Sequence, residues 1–154
     1  MAIRNLKQYF EIHKEIYKHL SFKGNNIEIV LKGHLLIENL LERILKKSSQ
    51  NPEKITTANL SFHKLACIVQ AIFESKCGLW VWNAIFELNT IRNILAHNLE
   101  ISEIDEKIDR FIEHVEEEGN GTIEVGDDFG FDELPMAIIN VHSELWKLLD
   151  TLEP

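Results

Sequence analysis

Between residues 27 and 47, apolar side chains return at three- and four-residue steps through strong helix formers, and the run ends on the basic pair Lys46 and Lys47. This spacing puts one apolar stripe on an α-helix, and such a helix holds in water only when neighbours cover the stripe. The terminal lysines suit the negative end of the helix dipole. The same periodicity governs the rest of the chain. It predicts a helix over residues 3–20, a turn at 23–26, a loop around 48–52, and helices over about 61–73 and 79–97 with punctuation at 75–78. A further helix with a charged face opens at Ser102, placed to cap it with Asp105 near the amino end, and runs to about Glu118. Residues 119–132 hold four of the seven glycines and read as an acidic loop or a small hairpin around 122–125. Pro135 suits a first helical turn, and helical spacing returns over 136–152. The expectation is all-α: an up-and-down bundle of five to six helices forming one domain over residues 1–154.

Composition narrows the class. No apolar run approaches the roughly 20 residues that cross a bilayer, and the amino terminus alternates charge with apolar residues, so a cytoplasmic protein without membrane contact is expected. Cys67 and Cys77 stand singly, without the spacing of a disulfide framework or a metal knuckle, and read as reduced, buried thiols. The net charge of −9 is local: residues 1–100 hold 13 Lys and Arg against 9 Asp and Glu, whereas residues 101–154 hold 3 against 16. Phosphate affinity comes largely from lysine and arginine. The first two-thirds of the chain therefore permit nucleic acid without indicating it.

Two helices carry polar residues where apolar ones belong. On a wheel of the 27–47 helix, Ile27, Val30, Leu31, Ile37, Leu41, Ile44 and Leu45 define an apolar arc, and His34 and Glu38 fall at its centre, close enough to touch. Lys32, Asn39 and Arg43 take the wet face, and Gly33 beside the arc would let another helix approach closely. In the 79–97 helix, Asn89, Arg92, Asn93 and His97 fall within or at the border of a broad apolar region. An inward arginine needs a carboxylate or a phosphate, because it cannot shed its charge. Glu38 is the candidate partner in the resting protein.

The string Leu88-Asn89-Thr90-Ile91-Arg92-Asn93-Ile94-Leu95-Ala96-His97 resembles the motif of the HEPN superfamily: an arginine, a polar residue, a short apolar stretch and a histidine, here spaced R-x4-H. The resemblance implies a small helical bundle that often dimerises and, in many members, a metal-independent endoribonuclease whose site joins the arginine and histidine of two subunits. It makes Arg92 and His97 the catalytic pair. In the HEPN toxins controlled by nucleotidyltransferase antitoxins the motif continues to a tyrosine two residues after the histidine; here that position is Leu99. The stretch Gly33-His34-Leu35-Leu36-Ile37-Glu38 and the overall size also resemble the mannitol-repressor-like proteins, whose regulatory role does not rest on a recognised DNA-reading motif.

These residue types fit RNA cleavage without a metal. A histidine moves protons near neutrality, and an arginine donates two hydrogen bonds to phosphoryl oxygens. On one ideal helix Arg92 and His97 lie about 140° and 7.5 Å apart, so two copies about a symmetry axis would have to supply the pair. Asn93 could orient the imidazole and Glu38 could hold Arg92 when RNA is absent, with His34 and Asn89 in support. The same residues equally suit a buried polar network that fixes helix register in a non-catalytic dimeric regulatory or interaction module, whose acidic last third engages a basic partner protein. His34 alone reads as a satisfied interior histidine, and His13, His19, His63, His114 and His142 show no metal-ligand spacing and read as surface or packing residues. No cofactor motif is present in the sequence. RNA, a second copy and an antitoxin or other protein are the partners this reading admits.

Overall fold

The structure, a computed structural model, describes residues 14–21, 23–97, 102–119 and 132–153, and these residues form α-helices with no strand among them. The order is α1 (Lys14–His19), α2 (Asn26–Ser48), α3 (Pro52–Ala58), α4 (Phe62–Phe73), a 3₁₀ turn (Glu74–Lys76), α5 (Leu79–His97), α6 (Ser102–Glu118) and α7 (Glu133–Leu152). The fold is an all-α helical bundle. Residues 3–13 of the predicted first helix, Leu99 and the proposed hairpin at 122–125 lie outside the described residues.

Local chemistry sets the helix ends. Asn25 caps α2 by accepting from the Ile27 amide at 2.8 Å, and Ser61 caps α4 by accepting from the Lys64 amide at 3.4 Å. Gly24 adopts φ +124°, open to glycine alone among common residues, and its amide donates to the Asp132 carboxylate just before α7. The short helix α3 falls where the sequence reading stopped at a loop. Pro52 stands at its first turn and Asn59 ends it in the left-handed region at φ 49°, but it buries none of its residues, so no apolar stripe announced it.

The core sits between α2, α5 and α7. Helix α2 packs on α3, α4, α5 and α7, with its most extensive contact along α7. Gly33 makes this approach possible: a Cβ there would lie 2.7 Å from Ile138 Cδ1 and 3.0 Å from Ile138 Cγ2. Ile29, Val30, Ile37, Leu40, Leu41 and Ile44 of α2 are fully or almost fully buried against Ile138, Ile139 and Leu145 of α7 and Ile85 and Leu88 of α5. Helix α6 turns Ile104, Ile108, Phe111 and Val115 inward and its acidic face to water. No helix among the described residues is long and apolar enough to cross a membrane.

The cysteines differ from the sequence expectation. Cys67 is exposed on α4, its Sγ 3.6 Å from His63 Nε2, and only Cys77 is half-buried. An exposed Cys67 follows from the register of α4, whose inward positions are taken by Phe62, Leu65, Ala66, Val69 and Phe73. Burial pushes the Cys77 thiol up to about 11, with Glu144 adding to the effect and Lys147 opposing it, so it is a poor nucleophile at neutral pH.

Candidate functional site

Three helices, α2, α4 and α5, enclose a cleft of about 630 Å³. From α2 it takes His34 and Glu38, flanked by Leu31 and Leu35; from α5 it takes Asn89, Arg92 and Asn93; from the start of α4 it takes Ser61, Phe62 and His63. Five of the polar residues singled out from the sequence thus meet in one place. The sixth, His97, closes α5 at the surface and does not line the cleft.

His34 is 6% exposed and Asn89 9%. The imidazole Nε2 donates to Asn89 Oδ1 at 3.0 Å, joining α2 to α5 across 55 residues of sequence. The ring also stacks on Phe62, with centroids 4.0 Å apart and planes 24° from parallel. A hydrogen bond on one edge and an aromatic face on the other fix the orientation of His34. Burial lowers its affinity for a proton below the ordinary histidine value of 6.5; the Asn89 hydrogen bond opposes this in part, and the positive Arg92 adds a smaller push downward. Glu38 is half-buried. Burial raises its carboxyl pKa, Arg92 pulls it down, and Glu42 raises it further.

Arg92 departs from the sequence expectation. It is exposed, as are Asn93 and His97, and no described carboxylate forms an ion pair with its guanidinium; Nη1 donates to Asn93 Oδ1 at 3.4 Å. The inward arc of α5 is closed by Leu88, Asn89 and Ile91. Beyond them the helix loses its cover: Ile94 and Leu95 are only half-buried, and Ala96 is exposed. A helical wheel repeats without end, whereas the cover over α5 does not, and its last turn is half-buried to exposed. Arg92 therefore needs no buried partner, and Glu38 influences it through space without the direct pairing expected of it.

Sequence reasoning missed the contribution of α4. Phe62 and His63 read as packing and surface residues, and nothing in their spacing points to a histidine 28 positions upstream. His63 lies 5.4 Å from Phe86 of α5, centroid to centroid. On the other side of α5, Glu87 Oε1 and His114 Nδ1 are 2.7 Å apart in a second cleft of about 610 Å³ that also holds Lys107 and Arg110. Arg110 is engaged there by Glu106 at 2.6 Å. Among the described residues no group of three His, Cys, Asp or Glu side chains is placed to hold a metal ion.

No family model matches the chain, no curated protein matches it, and no solved structure matches it.

The burial of His34 has a consequence for stability. Its native-state pKa is depressed, so it stabilises the fold fully above the unfolded value near 6.5, and that contribution is lost as pH falls through the lower native pKa. His34→Gln, which can still donate to Asn89, is expected to flatten the fall of the melting temperature between pH 7.5 and pH 5. Glu38, with a raised pKa, acts in the opposite sense, but it is common to both proteins and cancels in the comparison. Parallel slopes for wild type and variant in scanning calorimetry would mean that His34 titrates as it does in the unfolded chain.

Proposed function

We propose that the protein is a metal-independent endoribonuclease of the HEPN kind, acting as a homodimer in which Arg92 of one copy and His97 of the other share a site. One observation carries this reading: Arg92 stands exposed at the cleft with no described carboxylate in ion-pair contact, its guanidinium engaged only by the long 3.4 Å hydrogen bond to Asn93 Oδ1, an arrangement that leaves its other donors for a phosphate.

Two further features support it. Every described residue that lines the cleft comes from residues 31–93, so the strongly acidic helix α6 contributes nothing to the cleft beside Arg92. The rim carries Leu31 and Leu35, 41% and 57% exposed, and the adjacent helix α4 carries Ile68 and Ile72, an apolar surface that a second copy would cover. That surface also suits the second reading, a non-catalytic dimeric regulatory or interaction module resembling mannitol-repressor-like proteins. RNA incubated with the purified protein in EDTA separates the two. Cleavage is expected, reduced by about 10² to 10³ in Arg92→Ala, which removes charge stabilisation, and by about 10² to 10⁴ in His97→Ala, which removes proton transfer. Because both side chains are exposed, both variants are expected to keep their stability within about 0.5 kcal/mol of wild type. A parent without activity, or cleavage indifferent to both substitutions, sinks the nuclease and leaves the regulatory module.

A further inference from the structure

Cleavage of RNA by its own 2′-hydroxyl needs two proton-handling groups, one to accept from O2′ and one to donate to the leaving O5′. One His97 cannot do both at once. The cleft holds a second imidazole whose orientation is already fixed. Since Nε2 of His34 carries the hydrogen donated to Asn89 Oδ1, the neutral ring keeps its lone pair on Nδ1. That atom makes no hydrogen bond with any described residue, and His34 is one of the residues that line the cleft. The stack on Phe62 restrains the ring from turning away. Arg92 and Asn93 stand on the opposite wall, donors for an anion beside a fixed acceptor.

We infer that the cleft binds a ribonucleotide through its ribose and 3′-phosphate, with His34 Nδ1 accepting the hydrogen bond of the 2′-hydroxyl and Arg92 holding the phosphate. The inference rests on the nuclease reading for its substrate class and adds the residue that reads ribose against deoxyribose. In the cleavage step the O2′–H bond breaks and its proton passes to Nδ1, while the O2′ electron pair forms the bond to phosphorus. The P–O5′ bond breaks, and O5′ takes a proton from the His97 imidazolium of the second copy. A 2′,3′-cyclic phosphate and a 5′-hydroxyl result, with no change of oxidation state.

The test uses the full-length protein and the four ribonucleoside 3′-monophosphates beside their 2′-deoxy counterparts. Isothermal titration is expected to give ribonucleotides binding about five- to tenfold more tightly, the worth of one hydrogen bond to a buried acceptor. In His34→Leu that ratio is expected to fall to within twofold of unity. Nitrogen-15 spectra of the wild-type imidazoles keep the test independent of that variant's folding: His34 is expected to carry its proton on Nε2, with the Nδ1 resonance moved by the ribonucleotide and not by the deoxynucleotide. A proton on Nδ1, equal responses to both sugars, or no binding of either overturns the inference. Ribose preference without RNA cleavage would support the His34 contact and sink the nuclease reading; Arg92-dependent cleavage with a wild-type rate in His34→Leu would do the reverse.

Discussion

Replacing Trp82 by alanine is expected to destabilise the protein by about 3–5 kcal/mol, a large share of the roughly 5–15 kcal/mol that holds a domain of ordinary stability together. The indole, on α5, is fully buried within the core cluster. It is also hydrogen-bonded: Nε1 donates to the Glu74 carbonyl at 3.3 Å, tying α5 to the 3₁₀ turn that follows α4. Truncation removes the largest buried side chain and leaves a cavity the bundle can only partly close. The Glu74 carbonyl loses its donor, but beside an exposed residue it can recruit water, so the cavity dominates the cost. Urea melts followed by circular dichroism should show the midpoint falling at nearly constant slope, and the melting temperature dropping by about 10–15 °C. Trp80→Ala is the control: that ring is only half-buried, and its loss should cost distinctly less. A Trp82→Ala cost below about 1.5 kcal/mol would mean that the indole sits in a poorly packed region.

The helices that carry Trp82 were legible because burial imposes a period. Helix α2 spans Asn26–Ser48 where 27–47 was predicted, α5 matches 79–97, and α6 begins at Ser102. Helix α7 starts at Glu133, ahead of the predicted 136, and its first turn already buries Leu134 and Pro135. Helix α3 was invisible for the opposite reason: none of its residues is fully buried and only Ile55 packs partly against the core, so no apolar period arises. The site was legible in membership and misread in depth. His34 and Asn89, which fall on the apolar arcs of their helices, are buried and bonded to each other. Arg92 and Asn93 have apolar neighbours too, yet stand in water, since Ile94 and Leu95 beside them are themselves only half-covered. A sequence states which residues share a helical face. How far along the helix that face remains covered is set by the lengths of other helices. For the same reason Ser61, Phe62 and His63 entered the cleft unannounced: they arrive through the packing of α4 on α2, which no local pattern encodes.

Mixing two inactive proteins is expected to restore activity. If each site draws Arg92 from one copy and His97 from the other, a dimer of Arg92→Ala with His97→Ala has one site lacking both groups and one site with both intact. Such a mixed dimer should work at about half the wild-type rate, and a randomised equal mixture at about a quarter, from parents each reduced by about 10² or more. Co-refolding the pair and measuring RNA cleavage in EDTA gives the number. The complementary mixture makes the argument symmetrical: wild type randomised with the double variant should lose activity beyond dilution, because every mixed dimer then pairs an intact group with a missing one at both sites. A site contained in one protomer gives the opposite pattern, no rescue in the first mixture and simple dilution in the second. The ideal separation of about 140° and 7.5 Å along one helix, with Arg92 on the cleft and His97 off it, favours the shared site. In the proposed dimer the exposed end of α5, where Ile94, Leu95 and Ala96 lack full cover beside His97, would lie against the second copy. Leu95→Lys should therefore abolish both rescue and wild-type cleavage while leaving each protomer folded, a combination that loss of a side chain from a self-contained site would not produce.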